Sequence, residues 1–152
     1  MKARQMSRLV QQLVAVPLIS FSWLMTAEAV EGRKQLYNPS PLPPNGEISG
    51  SLSESDIPTG QGGFAHDYLV ELEEGDQITI DVTSDSFDTI VSLLTPDGLT
   101  IGENDDGPDG TTNSLLFMRI QRSGTYIIRV RAFGAAGDGP FNLKLTRLRP
   151  MS

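Results

Sequence analysis

From residue 66 to residue 146, apolar and polar positions alternate in short runs, each closed by a cluster of Gly, Pro, Asp, Asn or Ser. A period of two places alternate side chains on opposite faces, so each run predicts a half-buried strand. Gln77–Thr83 is the clearest case, with Ile78, Ile80 and Val82 on one face and Thr79, Asp81 and Thr83 on the other. In 66–72, Tyr68, Val70 and Leu72 share a face, and Glu73-Glu74-Gly75-Asp76 turns the chain. Residues 89–95 (TIVSLLT) are apolar on both faces, the pattern of a central sandwich strand. Pro96-Asp97-Gly98 then turns into a short segment at 99–102, and 103–113 forms a polar, glycine-rich loop. A strand follows at 114–120, with a turn at Ser123-Gly124. Tyr126, Ile128 and Val130 alternate with Ile127, Arg129 and Arg131, and Phe141, Leu143 and Leu145 with Asn142, Lys144 and Thr146. Residues 47–52 make a weaker first strand, separated from the rest by a loop at 53–63. About eight short strands with no helical period predict an all-β fold, a single antiparallel β-sandwich or jelly roll.

The first 45 residues follow a different pattern. Residues 1–8 carry Lys2, Arg4 and Arg8 and no acid, an apolar stretch runs from Leu9 to about Met25, and Ala27-Glu28-Ala29 follows. A basic region, an apolar region and an A-x-A site predict a secretory signal peptide over residues 1–29, cleaved after Ala29. Gln11, Gln12 and Pro17 interrupt the apolar run, which argues against an uncleaved membrane span. Residues 30–45, with four prolines and little apolar periodicity, are expected to be an extended linker. The β-domain is then expected over residues 46–149, enough chain for one core.

Charge narrows the function classes. Sixteen Asp and Glu lie between Glu47 and Asp109 with no Lys or Arg among them, whereas 119–149 holds seven basic residues and one acid, Asp138. Such an acidic balance offers no basic face for nucleic acid. The asymmetry predicts acidic and basic strands lying side by side, with Arg129 and Arg131 paired to acids. The chain has no Cys, so neither a disulfide framework nor a lipid-modified cysteine is available to an exported protein.

Several pieces, in this order, resemble the bacterial pre-peptidase C-terminal domain family. They are Asp67-Tyr68 before Glu74-Gly75-Asp76, then Ile78-Thr79-Ile80, and Phe87-Asp88-Thr89 leading into Val91-Ser92-Leu93-Leu94. Pro96-Asp97-Gly98 and the more specific Glu103-Asn104-Asp105-Asp106-Gly107 come next, with Ser114 and Phe117 shortly after. Gly124-Thr125-Tyr126, Ile128-Arg129-Val130 and Gly139-Pro140-Phe141-Asn142-Leu143 close the pattern. The resemblance runs from about Glu47 to Leu148 and implies an eight-stranded jelly-roll-like sandwich, usually appended to secreted peptidases and other exported enzymes. It implies a non-catalytic targeting or substrate-binding module, with relatives that bind calcium and fibrous protein. Phe141 stands where the family commonly has Tyr, and no peptidase sequence is recognised within these 152 residues.

The densest polar cluster is Glu103-Asn104-Asp105-Asp106-Gly107-Pro108-Asp109-Gly110. Calcium takes six to eight oxygens, and glycines let a loop wrap around it. Gly102 stands where an EF-hand loop needs its first carboxylate, so that motif is excluded. A solvated turn, with Asn and Asp side chains bonding local N–H groups, fits the same composition. The resemblance adds weight to calcium, with Asp88, Asn104, Asp105, Asp106 and Asp109 as candidate ligands. For Asp88 the preferred role is to pin the entrance to the central strand by accepting backbone N–H bonds. His66, the one histidine, is read as a surface residue at a loop-to-strand junction. No Cys nucleophile and no G-x-S-x-G elbow accompany it, and one His cannot build the usual zinc site. Tyr68, Phe87, Phe117, Tyr126 and Phe141 are read as core, and Phe133 as the exposed aromatic.

The expected function is a secreted or periplasmic, non-catalytic binding or accessory module, exported by the general secretory route and with calcium as a candidate stabilising ion. Expected partners are an exported peptidase or other secreted protein acting in trans, or an envelope or extracellular polymer. A structural cell-surface or matrix component is the first alternative, and a small metal-dependent hydrolase the second.

Overall fold

In a computed structural model of the chain, residues 37–108, 110–134 and 137–148 are described. The signal peptide expected over 1–29 lies outside the described residues, as do residues 30–36 of the segment expected to be a linker. The described residues form ten strands and no helix: β1 Ser40–Pro41, β2 Glu47–Leu52, β3 Ile57–Pro58, β4 Phe64–Leu72, β5 Gln77–Thr83, β6 Thr89–Leu94, β7 Thr100–Asn104, β8 Ser114–Arg119, β9 Gly124–Ala132 and β10 Gly139–Leu148. Eight of these are five residues or longer, as the alternation predicts.

Two sheets face each other. One runs β1-β4-β9-β6-β7 with β3 also on β4, and the other runs β2-β10-β5-β8. Apart from the parallel pairing of β1 with β4, every strand pair is antiparallel. Most successive strands lie in opposite sheets, so the chain wraps around its own core in the manner of a jelly roll.

The core is built from the predicted inward faces. Ile78, Ile80 and Val82 of β5 meet Tyr68 and Leu72 of β4, Ile128 and Val130 of β9, and Phe141 and Leu143 of β10, all buried. Each such side chain contributes about 1.5–3 kcal/mol by leaving water. The β6 strand is buried at all six positions, which is why its sequence is apolar on both faces. Gly50, directly opposite Phe141 in the neighbouring strand, has no room for a side chain. A Cβ there would stand 2.5 Å from the Phe141 ring and 2.6 Å from the Tyr68 hydroxyl.

Four details depart from the sequence reading. The edge strand β7 runs on to Asn104, so Glu103 and Asn104 belong to a strand rather than to the loop; Glu103 pairs opposite Ser92 and Asn104 opposite Val91. Phe117, read as core, is 55% exposed, because it lies on the outward face of β8 opposite Thr79. His66 is half-buried, with its ring centroid 4.7 Å from that of Tyr68. Finally, the described end of the Pro-rich segment runs along the sheet: β1 pairs with Tyr68 and Leu69, and the Leu42 N–H donates to the Leu69 carbonyl at 2.8 Å. Proline suits this position, since an edge strand leaves one side of its backbone unpaired.

Candidate functional site

The outward face of the first sheet carries a polar row. Asp67 pairs opposite Arg129, Arg129 opposite Ser92, and Ser92 opposite Glu103, crossing β4, β9, β6 and β7. Each residue comes from the outward half of its strand's alternation, so the register alone brings them into line. Arg129 donates two hydrogen bonds to the Asp67 carboxylate, Nε to Oδ1 at 2.7 Å and Nη2 to Oδ2 at 2.8 Å. The Ser92 hydroxyl donates to Glu103 Oε2 at 2.6 Å, and Arg131 Nη2 donates to Glu103 Oε1 at 3.1 Å. The pairing of basic β9 with acidic neighbours, expected from the charge asymmetry, is therefore present at both arginines. The hydrogen bond to Asp67 holds the Arg129 guanidinium's pKa above its ordinary value. Tyr37 closes the row at the β4 end, and burial first, then the Asp67 charge, raises its phenol's pKa.

At the other end the row opens into a cleft of about 350 Å³ bordered by Glu103, Asn104 and Asp105, by Arg131 and by Phe133. Strand β7 delivers the acidic residues, and Phe133 follows β9 directly, where Gly134 turns the chain with φ at 74°. Phe133 is 56% exposed, so the reading of it as the outward aromatic holds. The Asp88 carbonyl accepts the Phe133 N–H at 2.8 Å, which places Asp88 beside the same corner.

The candidate calcium ligands separate into distinct roles. Asn104 closes its own loop: its amide donates to the carbonyls of Asp106 at 2.9 Å and Leu115 at 2.8 Å, and its Oδ1 accepts the Asp106 N–H at 3.2 Å. This is the side-chain-closed turn that the composition also allowed. Asp88, Asp105 and Asp106 are exposed, and Asp109 lies outside the described residues. Among the described residues no three His, Cys, Asp or Glu gather as a metal-holding group.

The entrance to β6 is pinned mainly by residues that the sequence did not single out. Buried Thr89 donates its N–H to the Thr112 carbonyl at 2.9 Å and shares a 2.9 Å hydroxyl hydrogen bond with buried Ser114. Ser84 donates its hydroxyl to the Pro140 carbonyl at 2.8 Å, while its N–H is accepted by Asn113 Oδ1 at 3.0 Å. Asp88, expected to do this through its carboxylate, contributes its backbone carbonyl. A Thr opening a strand that must be covered on both faces was the available signal, because a hydroxyl buried there requires partners.

Comparison with known proteins agrees with this architecture. The family description "Bacterial pre-peptidase C-terminal domain" matches residues 64–132. The pre-peptidase C-terminal domain of a collagenase from Bacillus anthracis superposes with a TM-score of 0.54 at 16% identity, covering 72% of this chain and 95% of that one. PliG of Aeromonas hydrophila, a periplasmic lysozyme inhibitor of g-type lysozyme, superposes with a TM-score of 0.54 at 18% identity, covering 73% of this chain and 96% of that one. At these identities the likeness is one of fold. No curated protein matches the chain.

Proposed function

Residues 64–132 match the bacterial pre-peptidase C-terminal domain family, and from that match we propose that the chain is an exported, non-catalytic module that binds a protein partner outside the cytoplasm. The observation that carries this reading is the corner where exposed Phe133 stands against Glu103, Asn104 and Asp105. An aromatic anchor rimmed by polar groups is the arrangement on which protein interfaces concentrate their affinity. The acidic run from 47 to 109 selects a partner with a basic surface, such as an exported peptidase or another secreted protein acting in trans. The basic and apolar N-terminal pattern supports a periplasmic or extracellular setting. PliG of Aeromonas hydrophila, a periplasmic inhibitor of g-type lysozyme, has this fold, and that supports a protein partner.

Binding to exported bacterial proteins of basic character, measured by calorimetry at low and high salt, tests the proposal. Phe133→Ala should weaken binding by about 2 kcal/mol or more, as expected for a central aromatic anchor. Wild-type affinity in that variant for every partner found would remove the corner from the interface.

Calcium enters the proposal as a stabilising ion held by the exposed Asp105 and Asp106 carboxylates, with Asn104 shaping the loop rather than ligating. An ion that binds only the folded state stabilises it by about 2.7 kcal/mol at a hundredfold excess over Kd. Melting should therefore rise by several degrees in millimolar calcium, and Asp105→Asn with Asp106→Asn should abolish the rise. Identical melting in calcium and in chelator makes the loop a turn only.

A further inference from the structure

Away from the binding corner, the edge of the first sheet brings together three side chains that lie far apart in the chain. His66, near the start of β4, has Nδ1 2.7 Å from Asp56 Oδ1 and Nε2 3.4 Å from Ser40 Oγ. In the neutral imidazole the carboxylate settles the tautomer: Asp56 can only accept, so Nδ1 carries the proton and Nε2 presents its lone pair to the Ser40 hydroxyl. Asp56 is itself held, since its Oδ2 accepts the Ser53 N–H at 2.8 Å and the Ser53 hydroxyl at 3.2 Å. The Tyr68 ring lies 4.7 Å from the imidazole and further restricts its orientation. Asp56 and His66 have only 12% and 27% of their side-chain surface exposed, so the pair is partly shielded from water while remaining reachable. A carboxylate orienting an imidazole whose free nitrogen faces a serine hydroxyl is the relation that activates a serine nucleophile.

We propose that Ser40 is an activated hydroxyl that takes one acyl group from an activated ester, with His66 as its base and Asp56 as the positioning residue. In the step, Ser40 Oγ bonds to the acyl carbon, the bond from that carbon to the leaving oxygen breaks, and the Ser40 proton passes through His66 Nε2 to the leaving group. The flanking chain limits how far the reaction proceeds. Pro41 has no N–H, so the residue after the nucleophile cannot donate to the developing oxyanion. Donors with good leaving groups need that stabilisation least, whereas hydrolysis of the resulting alkyl ester needs it more. The site is thus suited to a single acylation per chain rather than to turnover, and it does not depend on the binding role of the Phe133 corner.

The test uses purified full-length protein and p-nitrophenyl acetate. A release of about one nitrophenolate per chain is expected, with the acetyl group on Ser40 in peptide mass spectra. Ser40→Ala should abolish this burst, and His66→Gln should slow it by about a hundredfold. Asp56→Asn should slow acylation while leaving its stoichiometry at one, an outcome that loss of folding would not produce. Ser40→Ala removes only the long 3.4 Å contact, so its melting curve should match wild type and keep the comparison valid. Acetylation confined to lysines or the N-terminus, or a burst unchanged in Ser40→Ala, overturns the proposal.

Discussion

Among the described residues, one ion pair in each sheet joins directly opposed residues of neighbouring strands, at nearly the same closest distance. Asp67 and Arg129 stand directly opposite each other on β4 and β9, as Glu47 and Lys144 do on β2 and β10. The closest nitrogen–oxygen distances are 2.7 Å and 2.8 Å. Their surroundings differ: the Asp67 carboxylate is wholly buried beneath a 31% exposed Arg129, whereas Lys144 and Glu47 are 58% and 53% exposed. The first pair is bidentate, and on the same face a separate group of Ser92, Glu103 and Arg131 lies beside it. The second is a single contact in water. A carboxylate removed from water needs its partner, and one left in water does not.

The comparison can be broken most severely at Arg129. Arg129→Met leaves the Asp67 carboxylate buried without its cation, and chemical denaturation should show a loss of about 2–4 kcal/mol, reduced from the fully buried case by the partial exposure of Arg129. Replacing both partners, Asp67→Leu with Arg129→Met, should recover most of that loss, because the penalty belongs to the orphaned charge.

Alkaline pH probes the same sheet independently. Burial first, and then the Asp56 charge, push the Tyr68 phenol from 10.0 up to about 12. The folded state therefore holds this proton more tightly than the unfolded chain. That contribution is fully present below pH 10 and is lost as pH rises from about 10 to 12. Ultraviolet titration should show a tyrosine ionising near pH 12, and Tyr68→Phe should remove that step together with its part of the alkaline decline.

Arg131→Ala should cost about 1 kcal/mol, since Glu103 is 45% exposed and keeps its hydrogen bond from Ser92. Lys144→Ala is the smallest of the series. Partner Glu47 raises the lysine's pKa, yet both side chains lie in water, and the melting temperature should not change measurably. A loss at Lys144 equal to that at Arg129 would show that geometry, not burial, sets the value of these pairs.

Much of the fold was legible along the chain because strand periodicity is a local property. Ile78, Ile80 and Val82 point inward together whatever they meet, and residues 89–95 had to be covered on both faces. The basic character of β9 beside acidic segments likewise anticipated its arginine pairs. Phe117 was misread because a strand's alternation does not say which face the sandwich covers. The Asn104 turn was legible as one of two readings of a polar loop, and hydrogen bonds to Asp106 and Leu115 show how it closes.

The sequence by itself determined the strands, the turns between them and the excess of acid in one half, since these depend on neighbours a few residues apart. Only the tertiary structure decided which polar residues share an environment. Asp67 and Arg129 are 62 residues apart, and Ser40, Asp56 and His66 span 26, so no local pattern marks them as partners. Sheet register places each of these groups opposite its partner, and the packing around it sets how much water remains. Those two quantities distinguish a buried charge pair or an oriented hydroxyl from an ordinary surface residue.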